Sequence, residues 1–225
     1  MSSKPSLKYS LFEQLAQVSK SLGHANRLMI LDVLSQGESD VDTLHQKLGL
    51  TVANVSKHLQ SLKQVGLVTS RREGQRIIYA LSNEAVFRLI MSLREVAELQ
   101  LEEMHHLLEA HLKPNTPFEP ISLETLKQMQ AESQPMTLLD VRPEDEFQSG
   151  HLPNAINIPI DDLPESLSEL DPEQTLVVYC RGPYCMWSKD ALEVLLEKGF
   201  TAKRLIEGYP EWRQQADPAE SGADD

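Results

Sequence analysis

The stretch from residue 40 to residue 82 reads DVDTLHQKLGLTVANVSKHLQSLKQVGLVTSRREGQRIIYALS. Asp40 can cap a helix that ends at Gly49, and Thr51 can cap the next helix. After these come two β-prone runs, LVTSRR and QRIIYALS, which meet at Glu73 and Gly74 and are typical of a hairpin. This stretch therefore predicts two short helices in succession, followed by a hairpin.

Helical periodicity also extends upstream of this stretch. Amphipathic segments lie near residues 9–21 and 24–36, and the second one stops at Gly37. Helix, helix, short turn, helix and hairpin is the order of elements in a winged helix-turn-helix. The first half of the chain is therefore predicted to be a mainly α domain with a β-hairpin wing.

The second helix of the pair has one apolar stripe, formed by Val52, Val55, Leu59 and Leu62. Its opposite face carries short polar and basic side chains that can reach base edges in a major groove. The hairpin adds charged side chains suited to phosphate or minor-groove contact. The DNA-contacting residues predicted in this way are Asn54, Ser56, Lys57, His58, Gln60, Arg71, Arg72, Gln75 and Arg76. The alternative interpretation is a solvated helix beside a charged hairpin.

Three segments of this region resemble the ArsR-type repressors in their order and spacing. They are HANRLMILDVL at 24–34, VSKHLQSLKQVGLV at 55–68 and RREGQRIIYAL at 71–81. The resemblance covers roughly residues 10–110. It implies a transcriptional repressor that binds duplex operator DNA.

From Ser82 the pattern predicts one long helix to about Leu112. Its apolar residues recur near a 3.5-residue spacing that favours a partner helix, and they are Val86, Leu89, Leu93, Val96, Met104 and Leu107. In ArsR-type repressors the equivalent helix forms the homodimer interface. The resemblance therefore implies a homodimer that presents two recognition helices to a two-fold operator.

Relatives in the ArsR-type family bind metal ions through acidic and histidine ligands on this helix. Here the helix carries His105, His106 and His111, but the N-terminal half of the metal motif matches poorly. We interpret these histidines as a solvated polar face, with a metal site as the alternative. The cysteine-based site of other relatives is absent from ESDVDTLHQ at 38–46, and no cofactor is expected.

Composition and charge limit the class of protein. The 225 residues, of which 40% are apolar and 24% charged, are enough for two globular domains. The chain has no run of about 18 apolar residues and MSSKPSLKYS lacks an apolar signal segment, so we expect a cytoplasmic protein without membrane contact. Of the net charge of −13, residues 1–83 carry +4 and residues 84–225 carry −17. Only the first part is thus suited to a phosphate backbone.

Residues 113–120, KPNTPFEP, contain three prolines and predict a semi-rigid linker between two domains. Strands and helices alternate beyond it, in the runs MTLLDVR, PEDEFQSG, TLVVYC, WSKDALEVLLEKG, TAKRLI and EGYPEWRQQ. Near-continuous apolar strands between helices predict an α/β domain with a parallel sheet covered on both faces. The predicted domains span residues 1–112 and 121–216, and the acidic tail at 217–225 is predicted to be disordered.

Both cysteines lie in VVYCRGPYC at 177–185, and Cys180 ends the strand TLVVYC. Catalytic loops in parallel sheets lie beyond the carboxyl ends of strands. In a reducing compartment, a close cysteine pair is catalytic, redox-active or metal-binding more often than structural.

Three stretches of this module resemble the hallmark stretches of a single-domain rhodanese. They are LLDVRPEDEFQSGHLPNAINIP at 138–159, VVYCRGPYC at 177–185 and RLIEGYPEW at 204–212, within about residues 121–215. The resemblance implies that Cys180 is a sulfur-carrying nucleophile with thiosulfate or a low-molecular-weight persulfide as donor. It also implies a six-residue active-site loop made of Cys180, Arg181, Gly182, Pro183, Tyr184 and Cys185.

The residues of this loop suit a reactive thiolate. A free thiol with a pKa of about 8.5 is only slightly ionised at neutral pH, so the loop must stabilise the anion. We expect its backbone N–H groups to point at the Cys180 sulfur and the helix from about Trp187 to add its dipole. Arg181 is expected to supply a fixed positive charge that attracts an anionic donor. The charged residues of the first hallmark stretch are expected to form structural ion pairs, namely Asp140, Arg142, Glu146 and His151.

The role of Cys185 is not implied by the resemblance, since many rhodaneses have threonine or arginine there. It is either a resolving thiol that attacks a Cys180 persulfide or a small filler. Three functions are thus open at this point. The first is a repressor whose second domain senses or transfers sulfane sulfur. The second is a sulfurtransferase that uses its helix-turn-helix for dimerisation or autoregulation. The third is a repressor that responds to a metalloid.

Overall fold

The computed structural model describes residues 6–112 and 120–215 of the protein. No helix in these two ranges is long and apolar enough to cross a membrane. Internal contacts divide the chain between Leu99 and Gln100 into two compact units. The predicted tail at 217–225, residue 216 and all of the predicted linker except Pro120 lie outside the described residues.

The described part of the first unit contains helices and a small antiparallel sheet. The helices are α1 (Leu7–Leu22), α2 (Ala25–Gln36), α3 (Val41–Leu48), α4 (Val52–Gln64) and α5 (Glu84–Gln100). The strands are β1 (Ser39–Asp40), β2 (Val68–Glu73) and β3 (Arg76–Leu81), in the order β1-β3-β2. This order confirms the predicted winged helix-turn-helix. Strand β1 was not predicted, because two residues are too few for a periodic pattern.

Side-chain caps fix the turn between α3 and α4. Asp40 accepts a hydrogen bond from the Thr43 amide at 2.8 Å, and this bond lowers the pKa of Asp40. Helix α3 ends at Gly49, whose φ of 64° is left-handed, and Thr51 then caps α4. Each side-chain cap stabilises its helix by about 1 kcal/mol, so residues 40–51 determine where α3 begins and ends and where α4 begins.

The apolar stripe of α4 packs inward along most of its length. Val55, Leu59 and Leu62 are fully buried in one cluster with residues of α2 and α3. Val52 is 44% exposed, so its predicted burial is wrong. It occupies the first position of α4, ahead of the turns that pack on the core.

The predicted single helix from Ser82 to Leu112 is also wrong. The chain forms α5 and then a separate helix, α6 (Glu102–Leu112), with a break at Leu101. The Leu101 carbonyl accepts hydrogen bonds from the amides of Met104 and His105, which starts the new helix. Leucine is a good helix former, so the sequence gives no sign of this break.

The second unit is an α/β structure. Its helices are α6, α7 (Leu123–Ala131), α8 (Glu144–Gln148), α9 (Leu163–Ser166), α10 (Trp187–Glu197) and α11 (Tyr209–Gln215), with a 3₁₀ turn at Leu167–Glu169. Its strands are β4 (Met136–Asp140), β5 (Ile156–Asn157), β6 (Thr175–Tyr179) and β7 (Ala202–Arg204). They form a parallel sheet in the order β5-β4-β6-β7.

Apolar residues cover both faces of this sheet. Along β6, Val178 belongs to one buried cluster, whereas Val177 and Tyr179 belong to another. Side chains alternate between the two faces of a strand, so both faces of β6 are buried. The predicted parallel, doubly covered sheet is therefore confirmed.

Candidate functional site

The outer face of α4 carries most of the polar side chains that the sequence assigns to DNA contact. Asn54, Lys57 and Gln60 are exposed, and Ser56 is half-buried. They lie on a helix whose other side is anchored in the core through Leu59. This leaves a short polar and basic face that is accessible in the first unit.

His58 does not belong to that face. It is 7% exposed, and its ring packs against that of His24 with the ring centroids 4.5 Å apart. Burial lowers the pKa of His58, and the charges of His24, Arg27 and Lys57 lower it further. The expected exposure of His58 is wrong because position 58 lies one helical turn from buried Val55.

Two arginines of the wing have acidic neighbours. Arg71 forms ion pairs with Glu38 and, at 3.7 Å, with Glu73. The hydrogen bond that Arg71 donates to Glu38 raises the pKa of Arg71. Arg76 pairs with Asp40 at 3.5 Å. Part of the charge that the sequence assigns to DNA contact is thus balanced within the first unit.

Arg72 is placed differently. Its Nε donates to the carbonyl oxygen of Gly74 at 3.1 Å, so its hydrogen bond is made within the hairpin turn. It lines a shallow depression on the wing together with Ser70, Arg71, Gln75 and Ile77. Arg72 and Gln75 are both exposed and accessible to a phosphate group.

The cysteine loop, residues 180–185, connects the end of β6 to the start of α10. Cys180 is 1% exposed and Cys185 is half-buried. The two cysteines form a disulfide in this structure, with their Cα atoms 6.2 Å apart. The Cys185 amide donates to the Gly182 carbonyl at 3.1 Å. In this disulfide form, the N–H of Cys185 therefore points at a carbonyl oxygen, whereas the sequence analysis predicted that it would point at the Cys180 sulfur.

Arg181 does not supply the unbalanced positive charge that the sequence suggested. Its Nε and Nη2 donate to the Glu146 carboxylate at 2.9 and 2.7 Å. Its guanidinium also lies over the Trp187 ring, 4.4 Å from the centroid. The side chain of Glu146 comes from α8, so this tertiary contact was not visible in the spacing of residues around Cys180.

A different arginine, which the sequence analysis missed, holds the second half of the loop. Arg204 of β7 is 3% exposed, and burial lowers its pKa. It donates to the carbonyl oxygens of Pro183 at 3.0 Å and Cys185 at 3.4 Å, and to Ser188 Oγ at 3.0 Å. It also reaches the carbonyl oxygen of Leu112 at 3.4 Å. The one signal available was that Arg204 follows Lys203 within the predicted strand TAKRLI, where side chains alternate between faces and one of the two basic residues must point inward.

Two glycines allow the loop and α11 to approach closely. Gly182 has a φ of 132°, and a Cβ there would lie 3.1 Å from the carboxylate oxygens of Glu211. That buried carboxylate accepts a hydrogen bond from the Gly208 amide at 3.0 Å. A Cβ on Gly208 would lie 2.5 Å from the Cys180 carbonyl oxygen. The backbone around Cys180 therefore depends on the absence of side chains at both positions.

Three of the four charged residues of the first hallmark stretch form ion pairs as predicted, namely Asp140, Arg142 and Glu146. Arg142 and Asp140 are fully buried and form an ion pair at 2.6 Å. Burial opposes the charge of Arg142, but the hydrogen bond and charge of Asp140 outweigh it and raise the pKa of Arg142. The exposed His151 stacks on Phe147 with ring centroids 3.8 Å apart.

The described residues contain no group of three or more histidine, cysteine, aspartate or glutamate side chains that could hold a metal ion. His105, His106 and His111 are exposed on α6. Their interpretation as a solvated polar face stays a prediction.

Comparisons with known proteins match both halves of the chain. The model of the bacterial regulatory protein, arsR family, matches residues 24–70, and that of the rhodanese-like domain matches residues 122–215. The HTH-type transcriptional regulator Rv0324 of Mycobacterium tuberculosis is 39% identical over 224 residues, which are 99% of this chain and 97% of that protein.

Two further relatives match the first half alone. The HTH-type transcriptional regulator YgaV of Escherichia coli is 38% identical over 37% of this chain and 86% of its own length. The solution structure of the homodimeric winged helix-turn-helix DNA-binding domain of Mb0332 from Mycobacterium bovis is 40% identical, with a TM-score of 0.42. It covers 46% of this chain and 95% of its own.

The match to Rv0324 extends over nearly all of both chains. The arsR family model matches part of the first unit, and the rhodanese-like model matches most of the second. The chain therefore belongs to the ArsR family of bacterial transcriptional regulators and carries a rhodanese-like domain after its helix-turn-helix domain.

Proposed function

We propose that this chain is a homodimeric DNA-binding repressor whose rhodanese-like domain takes up sulfane sulfur on Cys180. One observation carries the proposal. A single chain combines the exposed polar face of α4 with a cysteine at the carboxyl end of β6, in a loop that leads directly into α10. The first feature suits operator recognition, and the second suits nucleophilic sulfur chemistry.

The DNA-binding part of the proposal rests on two surfaces. Asn54, Lys57 and Gln60 of α4 can contact base edges in the major groove. Arg72 and Gln75 of the wing can contact the phosphate backbone. His58 is omitted from this set because it is buried.

Dimerisation is supported by exposed apolar side chains on α1 and α5. Those on α1 are Leu7, Tyr9, Leu11, Phe12 and Leu15, and those on α5 are Leu89, Leu93, Val96 and Leu99. Isolated apolar residues are normal on a surface, but two helices that expose five and four of them favour a protein interface. A second copy of this chain would cover these residues and place two α4 helices on one operator.

The sulfur chemistry begins from the reduced loop. The Cys180 thiolate attacks the outer sulfur of thiosulfate, the sulfur–sulfur bond of thiosulfate breaks, and sulfite leaves with the bonding electron pair. The product is a persulfide on Cys180. A low-molecular-weight persulfide can donate its outer sulfur in the same way and leave as a thiolate.

The test combines two measurements on the reduced, full-length protein. Binding to the DNA upstream of its own gene is measured before and after a persulfide donor is added, and the mass of the Cys180 peptide is recorded in parallel. We expect sequence-specific binding that weakens with salt and an affinity that changes when the donor is added. We also expect a gain of one sulfur atom on Cys180 in the Cys185→Ser protein, in which no second thiol can remove it. The Cys180→Ser protein should bind DNA but not respond. Absence of duplex binding at any salt concentration, or of sulfur on Cys180 of the Cys185→Ser protein, would contradict the proposal.

A further inference from the structure

We propose that Cys180 and Cys185 together form a dithiol that reduces the bound sulfane sulfur to sulfide and ends as the disulfide. This inference rests on the proposed uptake of sulfur by Cys180. The two cysteines are the ends of one six-residue loop, and the structure contains the bond between them with β6 and α10 in place. Their Cα separation of 6.2 Å lies inside the range of about 4.4–6.8 Å that disulfides occupy.

The reaction is balanced without any other reactant. The Cys185 sulfur attacks Sγ of the Cys180 persulfide, and the bond between Sγ and the outer sulfur breaks. The outer sulfur leaves as HS⁻ with the bonding electron pair, and the proton of the Cys185 thiol is transferred to it. The sulfane sulfur is reduced to sulfide, and the two cysteines are oxidised to the disulfide. A further turnover would need an external dithiol to reduce the loop.

The contacts of Arg204 fix the backbone on either side of position 185. Its buried guanidinium holds the carbonyl oxygens of Pro183 and Cys185, and its Nε holds Ser188 Oγ. Among the described residues, the hydrogen bonds of Arg204 go to neutral oxygen atoms. Burial of a cation with such partners is costly, and what Arg204 stabilises in return is the backbone of residues 183–188. The observation that points to a reactive thiol at position 185 is its bond to Cys180.

These contacts make Arg204 a positioning residue for the second thiol. They tie the backbone of residues 183–188 to β7, so Cys185 is held on the side of the loop that faces Cys180. Two further sets of charged groups at the loop are the Arg181–Glu146 pair and the Glu211 carboxylate. Arg181 is paired with a carboxylate, so Arg204 brings positive charge to the carbonyl of the attacking cysteine.

The test uses reduced, desalted, full-length protein under anaerobic conditions. Thiosulfate and glutathione persulfide are used as donors in separate samples, and sulfide, free thiols and the mass of the loop peptide are followed over one turnover. We expect the wild type to release one sulfide per chain and lose both thiols. The Cys185→Ser protein should retain the extra sulfur on Cys180 and release no sulfide.

The outcomes separate this inference from the proposed function. If Cys185→Ser gains sulfur and the wild type also keeps it without releasing sulfide, the inference is wrong and the uptake of sulfur stands. If Cys185→Ser gains no sulfur from either donor, the proposed function itself is wrong. If Cys185→Ser releases sulfide as the wild type does, Cys185 is not the resolving thiol.

Variants of Arg204 test the positioning role. Arg204→Lys keeps the charge but cannot make the same set of hydrogen bonds, and Arg204→Gln loses both. Both variants should still load sulfur on Cys180. Sulfide release should slow by about 10- to 100-fold, because small misplacements of reacting groups lower rates by this order. If Arg204→Lys releases sulfide faster than Arg204→Gln across the pH profile, the positive charge at position 204 contributes to the reaction. Lys203→Gln, on the same strand, is the control, and equal release rates in all four proteins would overturn this role.

Discussion

The exposed face of α4 and the cysteine loop differ in what holds their side chains in place. On α4, Asn54 and Lys57 extend from a helix that is started by its own N-cap, Thr51. Their exposure follows from the helical period, which places them opposite the buried stripe. In the loop, Arg181 is held by Glu146 of α8, and the Cys185 carbonyl is held by Arg204 of β7. Substitutions on the face should therefore have local effects, whereas substitutions around the loop should disturb a folded unit.

The largest expected effect is on the stability of the unit that carries the loop. Asp140→Asn leaves the buried Arg142 without its carboxylate partner, which should lower the free energy of unfolding by about 3–5 kcal/mol. Trp187 and Trp212 both lie in the second unit, so urea unfolding followed by tryptophan fluorescence reports that unit alone. Asp161→Asn, at an exposed position, is the control. Similar losses in both variants would mean that the buried pair contributes little.

The next effect concerns coupling between sulfur chemistry and DNA binding. Formation of the disulfide changes the loop that Arg204 holds, and Arg204 also contacts the carbonyl oxygen of Leu112 at the end of α6. We expect a polysulfide donor to change operator affinity by about 5- to 150-fold, the usual range for coupled sites. Fluorescence anisotropy with labelled operator measures this change.

Two variants sharpen this expectation. The change in affinity should be reduced or lost in Cys185→Ser, which cannot form the disulfide, and in a truncated chain that ends near residue 112. An unchanged affinity in all three proteins would mean that the two domains act independently. In that case the exposed face of α4 and the cysteine loop would have independent functions, as well as different structural support.

A smaller effect distinguishes base contacts from phosphate contacts. Lys57→Ala or Asn54→Ala should remove about 1–3 kcal/mol of discrimination between the operator and a scrambled duplex. Arg72→Ala should weaken binding to both duplexes alike and reduce the log–log salt slope by about 0.9 for each phosphate that is no longer neutralised. Affinities measured over a salt series give both quantities, with Lys127→Ala in the second unit as the control. Reduced discrimination in Arg72→Ala would contradict this assignment.

The smallest effect is the pH dependence of the first unit. The pKa of His58 is lowered in the folded state, so the unfolded chain binds more protons. Stability should therefore be complete above the unfolded pKa of about 6.5 and be lost as the pH falls through the folded pKa. Hydrogen exchange of α4 amides measures this, and His58→Gln should flatten the dependence. His106→Gln, at an exposed position, should leave it unchanged.

The first unit was largely predictable because its signals are local. The caps at Asp40 and Thr51 and the left-handed Gly49 are formed by residues within a few positions of each other. Errors arose where tertiary packing decided the outcome. His58 is turned into the core against His24, and the chain breaks at Leu101 although every neighbouring residue is compatible with a helix.

The sequence by itself determined the two folds, their order, the exposed face of α4 and the position of Cys180 at the end of a parallel strand. These follow from periodicity, caps and motifs that act over a few residues. Only the tertiary structure decided the electrostatics of the cysteine loop. It paired Arg181 with Glu146, placed Arg204 against Cys185, and brought Glu211 against Gly182. Such contacts join residues up to 35 positions apart in the chain, and the packing of α8, β7 and α11 around one strand end decides which charges meet.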